Sequence, residues 1–195
     1  MVTSLDLYGL LLGAVGLERL LELDISRRHA AGAFARGGIE YGQRHFRLMK
    51  LLHTGFLLAC GLEAWGLERP FLPWLGWPML ALVAGAQALR YWAISSLGPA
   101  WNTRVIVVPG ERAVTRGPYR FLRHPNYVAV LIEGVALPLV HTSWITALAF
   151  SLANSFLLAV RIRCEEAALR LHSDWGERFG ATPRLVPNRM GEPTQ

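Results

Sequence analysis

Long apolar blocks alternate with shorter polar stretches along the chain. Five blocks stand out, at residues 3–24, 48–67, 74–97, 127–141 and 144–162. Their apolar residues run on in long stretches instead of alternating, which predicts helices, not half-buried strands. Between them lie a polar loop at 25–47, a short turn at 68–73 and a second polar loop at 98–126. A polar tail begins at Arg161. Gly37 and Gly38 break the first loop. The fourth block holds fifteen residues, about 22 Å of helix against a hydrocarbon core of about 30 Å. With the fifth block and the turn PLVHTS it is predicted to form a helical hairpin, partly re-entrant or kinked at Pro138. The expectation is a single-domain, all-α integral membrane protein with about five transmembrane helices. Residues 1–97 supply three of them and 98–195 the remainder.

Composition supports the membrane reading. Hydrophobic residues make up 52% of the chain and charged residues 17%, below the usual quarter for soluble domains. The net charge is +6, and every cation is arginine except Lys50. These cations flank apolar spans, so the partner they fit is an anionic membrane surface; no nucleic acid is expected. They are also unevenly placed. The stretch 25–50 holds six, 98–124 five and the tail six, while the turn at 68–73 has only Arg69 and the turn at 138–143 none. The positive-inside rule then puts both large loops and the tail in the cytoplasm, with the N-terminus outside. The first residues lack a basic n-region and a small-residue cleavage site, so no signal peptide is expected. Cys60 and Cys164 give no sign of a disulfide framework or a metal site.

Several polar residues sit inside the apolar blocks. Glu18 and Glu22 are four apart and share a helix face, next to Arg19. Charges facing lipid are costly, so this face should point into the bundle or sit near the interface. Arg90 lies near the end of the third block and Glu133 in the middle of the fourth. His45, Met49 and His53 line one face of the second. The two histidines are eight apart with no third ligand nearby, so packing or substrate contact is expected there and no metal.

Two polar constellations remain. Residues 117–127, GPYRFLRHPNY, place Tyr119, Arg120, Arg123, His124 and Tyr127 between two prolines. Pro118 and Pro125 push Gly117 and His124 out of the helical region. Pro125 suits the first turn of the helix that follows. A turn crowded with cations and aromatics can cradle a charged small molecule, or merely set topology. Residues 161–170, RIRCEEAALR, end the last apolar helix; Arg161 and Glu165 are four apart and should meet, with Glu166 pointing elsewhere.

Together, G-x-Y-x-x-x-R-H-P-x-Y and, after a helical hairpin, R-x-x-x-E-E resemble the isoprenylcysteine carboxyl methyltransferase family. The resemblance covers roughly residues 95–187 and extends to the membrane phospholipid N-methyltransferases. It implies S-adenosylmethionine as methyl donor, held between the R-H-P loop and the final helix. By that resemblance Tyr119, His124, Pro125, Asn126 and Tyr127 fall on the cofactor-binding turn. Glu165 falls on its acidic contact and Glu111, Arg112, Ala113 and Val114 on a backbone stretch lining the cofactor. Arg161 falls on a basic position near the reacting group. Ala129 departs from the family, which usually has glycine there.

The chemistry agrees with these roles. Glu165 can pair with the cofactor's ammonium. His124 or a neighbouring arginine can hold its carboxylate. Tyr119 and Tyr127 can face the sulfonium. I-S-R-R-H at 25–29 and G-G-x-E-Y-G at 37–42, with the His45/Met49/His53 face, resemble a bacterial branch linked to type III polyketide synthases. That branch is thought to O-methylate long-chain alkylpyrones or alkylresorcinols, lipophilic acceptors that arrive through the bilayer. A phenol has a pKa near 10 and needs a base; Glu133 and His53 are the candidates. The alternatives are carboxyl methylation of an isoprenylcysteine-like substrate, phospholipid N-methylation, an NADPH-dependent sterol-type reductase, and a membrane protein without catalysis.

Overall fold

The computed structural model describes residues 3–186. Arg189, counted above among the tail's cations, lies outside them. Helix α1 spans Ser4–Ala35. Its first turn is closed by a capping box: Asp6 N–H donates to the Thr3 hydroxyl at 3.2 Å, and Thr3 N–H to the Asp6 carboxylate at 2.8 Å. The helix runs well past its predicted end at residue 24. Ala30, Ala31, Ala33 and Ala35 favour helix and carry it through the lone Gly32, and the helix stops just before the Gly37-Gly38 pair. The loop expected at 25–47 is therefore mostly helix.

A short strand β1, Ile39–Tyr41, and helix α2, Gln43–Gly66, follow. Helix α3 covers Pro73–Leu97 and strand β2 Val105–Val107. The strands pair antiparallel, Ile39 opposite Val107 and Tyr41 opposite Val105. This small sheet was not expected. It clamps the two polar loops together, and Val105 and Val107 are buried against Ala168. Helix α4 is Pro125–Leu139, α5 is Trp144–His172 and α6 is Trp175–Phe179. The RIRCEEAALR segment forms the last turns of α5, which ends two residues beyond it.

The fold is mostly helical, as expected. α4 and α5 form the predicted hairpin, and they approach closely because Gly134 has no side chain: a Cβ there would meet the Phe150 ring at 2.6 Å. The main core joins Tyr8, Phe56, Cys60, Val83, Leu137 and Phe150 from all five long helices. The outer surface is apolar as well. Leu10, Leu51, Leu62, Trp74, Leu152 and Phe156 are each more than 65% exposed, an arrangement suited to hydrocarbon, not to water. Among the described helices, α5 alone is long and apolar enough to cross a membrane by length and composition; α4 is apolar but shorter. In α1 the charges at positions 18, 19, 22 and 24 interrupt the apolar run. Glu22 is buried, so this part of the helix does face the bundle.

Candidate functional site

The site begins at a single 3₁₀ turn, Gly117–Arg120. Gly117 has φ +60°, and a Cβ there would collide with the Ser96 hydroxyl at 2.0 Å, so only glycine fits. The turn buries Tyr119 against Ala93, Trp175 and Phe179. His124 then precedes α4, whose first residue is Pro125. Proline at this position lacks an N–H that would have had no helical partner.

From α4, Tyr127 reaches α5. Its hydroxyl donates to the Glu165 carboxylate and accepts from Arg161 Nε at 2.8 Å. Arg161 is buried and also donates to the Thr103 carbonyl at 2.6 Å. Arg161 and Glu165 thus share one face, as their spacing predicts, but they are joined through the Tyr127 hydroxyl. Asn126 stands beside this trio with its Oδ1 buried and unpartnered among the described residues.

Glu166 turns the other way and is far from idle, a role the sequence did not reveal. It is buried, accepts two hydrogen bonds from Arg184 at 2.8 and 2.7 Å, and accepts His124 Nε2–H at 3.2 Å. The chain after α6 is tied to the same loop through the backbone: Arg123 N–H donates to the Pro183 carbonyl and His124 N–H to that of Arg184. Burial opposes ionisation of Glu166, but the hydrogen bonds from Arg184 and His124 outweigh it and hold the carboxyl below the usual glutamate range. Asp174 fixes the 111–114 segment by accepting Ala113 N–H at 2.7 Å; that bond, with Arg178, lowers its carboxyl as well. The doubled acid in R-x-x-x-E-E was the one sequence signal for Glu166.

These groups open onto one cavity of about 740 Å³, within the range of small-molecule sites. Glu111, Arg112, Ala113, Val114, Tyr119, His124, Asn126, Tyr127, Arg161 and Glu165 all line it. Pro125 does not; it is fully buried at the start of α4. The cavity continues between α1 and α2, where Leu12, Gly16, Leu20, Met49, His53 and Leu57 form an apolar extension. His53 donates from Nδ1 to the Met49 carbonyl at 2.9 Å, which leaves Nε2 as the basic nitrogen of its neutral ring. Glu133 is not in the cavity wall. It lies behind it, accepting Arg19 Nη2 at 3.0 and 2.9 Å and also bonded to Arg90.

Residues 79–171 match the model of the isoprenylcysteine carboxyl methyltransferase (ICMT) family. The chain is 36% identical to the uncharacterized protein YpbQ of Bacillus subtilis (strain 168) over 168 residues, covering 86% of this chain and 99% of that protein. It is 31% identical to an uncharacterized protein of Haemophilus influenzae over 154 residues, covering 77% and 88%.

The chain belongs to the ICMT family.

ICMT proteins are membrane-associated methyltransferases that generally use S-adenosylmethionine. The ICMT match spans both motifs of this site, the turn at 117–127 and the 161–166 segment of α5. The residues present fit such a donor. The buried Asn126 Oδ1 lacks a hydrogen-bond donor, which an ammonium or ribose hydroxyl supplies. The Glu165 carboxylate lines the same cavity, and Tyr119 and Trp175 give it aromatic walls.

Proposed function

We propose that this protein methylates an oxygen of a lipophilic acceptor, a phenolic or pyrone hydroxyl on a long-chain lipid, with S-adenosylmethionine as donor. The observation that carries the reading is the continuity of one cavity from a polar end to an apolar end. The polar end, bounded by residues 111–114, Asn126, Tyr127 and Glu165, would hold the cofactor. The apolar end between α1 and α2 would hold the hydrocarbon chain.

Once bound, the cofactor supplies an electrophilic methyl group. The protein's residues do the remaining work. Glu165 faces the ammonium, Arg123 the carboxylate and Tyr119 the cationic centre. Arg161, held by Tyr127 and the Thr103 carbonyl, directs a guanidinium at the reacting zone. His53 takes the hydroxyl proton on Nε2. It is preferred to Glu133 because it reaches the cavity wall, whereas both Glu133 oxygens are already engaged by Arg19. The buried side chains of Tyr119 and Arg161 limit water beside the reacting atoms, and the cavity walls fix the approach of the two reactants.

The same reading places five spans in a bacterial inner membrane, with the N-terminus outside and the polar end of the cavity at the cytoplasmic face. It also makes a lipid-producing polyketide synthase a fitting supplier of the acceptor. The test is methyl transfer from labelled S-adenosylmethionine by purified protein in lipid nanodiscs. A long-chain resorcinol or pyrone should become O-methylated. Labelling of a prenylcysteine carboxylate or of phosphatidylethanolamine alone would overturn the choice of acceptor. Cysteine labelling from outside intact cells, in a Cys60- and Cys164-free background, should leave a cysteine placed at Arg112 unmodified; modification there would reverse the orientation.

A further inference from the structure

Beyond the cofactor end, the cavity has a second polar stretch of wall that none of the roles above uses. Arg19 and Glu22 of α1 and Arg90 of α3 all line it. Behind them stand Glu133, Glu18 and Gln87. Arg19 donates to Glu22 Oε2 at 2.7 Å and to Glu133; Arg90 donates to Glu133 and to Gln87; Gln87 donates to Glu18. This group contains three carboxylates and two guanidiniums, so its spare capacity is for accepting hydrogen bonds.

Two oxygens of the group, Glu18 Oε1 and Glu22 Oε1, lack a hydrogen-bond partner among the described residues, and of these two residues only Glu22 lines the cavity. Glu22 is only 8% exposed, yet its Oε1 has no hydrogen-bond partner among the described residues. Arg90 Nε is 3.9 Å from it, beyond hydrogen-bonding distance. A buried carboxylate oxygen left unpaired is costly. Leu12, Leu20, Leu23, Leu57 and Leu58 line the same cavity and bring no donor to it; the polar side chains that α2 adds to the lining are Lys50, His53 and Thr54.

We propose that Glu22 is a specificity-determining residue for the acceptor. Its Oε1 receives a second O–H carried by the acceptor head, distinct from the hydroxyl that is methylated. This deepens the O-methyltransferase reading and rests on it. An anion is disfavoured by the carboxylate excess. Glu22 lines the same cavity as His53, the base in the reading above, so one ring can present one hydroxyl to His53 and a second to Glu22. The acceptor class is then a long-chain ring bearing at least two hydroxyl or enol groups, and its singly methylated product is a poorer ligand than its substrate.

The experiment compares three acceptors of equal chain length in nanodiscs: a 5-alkylresorcinol, its monomethyl ether and a 3-alkylphenol. Wild-type protein should favour the resorcinol by about ten- to a hundredfold in kcat/KM, the range of a lost hydrogen bond to a charged group. Glu22→Gln provides the second arm. With its amide oxygen kept on Arg19, it would turn an N–H towards the ligand. The preference for the resorcinol over the ether should vanish or reverse, while S-adenosylhomocysteine affinity measured by calorimetry stays as in wild type. Equal kcat/KM for resorcinol and alkylphenol in wild type overturns the subsite and leaves the O-methyltransferase reading intact. So does a Glu22→Gln protein that loses turnover equally on all three with only a shifted pH profile, which would make the cluster a proton store. Failure to methylate any of the three overturns the underlying reading and the subsite with it.

Discussion

Glu166 and Glu133 are both buried, both on long helices and both held by arginine, yet they serve different ends. Glu166 draws its partners from the R-H-P loop and from the chain after α6: His124, Arg123 and Arg184. It latches the segment around residue 184 across the loop that forms the cofactor end of the cavity. Glu133 draws its partners from α1 and α3, through Arg19 and Arg90. It knots three helices in the middle of the bundle. Arg184 is half exposed, at 53% for its side chain, whereas Arg90 is at 6%. Water can replace a lost partner at the latch but not at the knot. The lesson is that an acid buried among apolar helices is not thereby a base; what matters is whether its lone pairs are already taken.

The sharpest way to break this contrast is Glu133→Gln. If Glu133 is a knot, the variant leaves Arg19 its pair with Glu22 at 2.7 Å but takes from the buried Arg90 its closest anion. Removing one partner of a buried pair costs about 3–5 kcal/mol. Thermal unfolding in detergent should shift down strongly, far more than for Glu166→Gln. If Glu133 were the catalytic base, stability would hold and turnover would fall by roughly 10²–10⁴-fold. A Glu133→Gln protein that unfolds like wild type but does not methylate would therefore restore it as the base and displace His53.

That pair of outcomes also marks what the sequence could reveal. The turn at 117–127 and the Arg161/Glu165 pair were legible because proline, glycine and charge spacing act locally. So were the five helices, from the apolar blocks alone. The partners of Glu133 were not legible: they lie 114 and 43 residues away, and no local rule pairs Arg19 with Arg90. The β1–β2 sheet escaped for the same reason, since α2 and α3 separate Ile39 from Val107 along the chain. The true end of α1 was missed because polar side chains on its last turns were taken for loop, although alanine-rich sequence carries helix well beyond the apolar face.

A neighbouring acid refines the comparison at the next level of effect. Glu165 precedes Glu166 in the chain but lines the cavity, so its loss should act on the ligand and not on the fold. Glu165→Ala is expected to weaken S-adenosylhomocysteine binding by about 1.5–3 kcal/mol, the range for a charge-assisted contact, with little change in unfolding temperature. Titration calorimetry showing unchanged affinity would remove Glu165 from the site. A large loss of stability instead would class it with Glu133.

The smallest expected effect belongs to the latch, and its pH dependence distinguishes it from an ordinary surface pair. Because Arg184 is half exposed, Arg184→Ala should weaken S-adenosylhomocysteine binding by no more than about fivefold, equivalent to roughly 1 kcal/mol. The Glu166 carboxyl is held below its ordinary value of 4.5 in the folded protein. A depressed folded-state pKa contributes stability that is fully present above the unfolded value and is lost only as pH falls through the lowered one. The ratio of wild-type to Arg184→Ala affinity should therefore stay constant from pH 8 down to pH 5, since Glu166 remains ionised throughout that window. Calorimetry at three pH values across this range is enough to check it. If the ratio already shrinks between pH 6 and pH 5, Glu166 is taking up a proton there. It would then be titrating above the usual glutamate range, as burial without adequate pairing would make it do, and the ion pair with Arg184 could not be what holds the tail against His124.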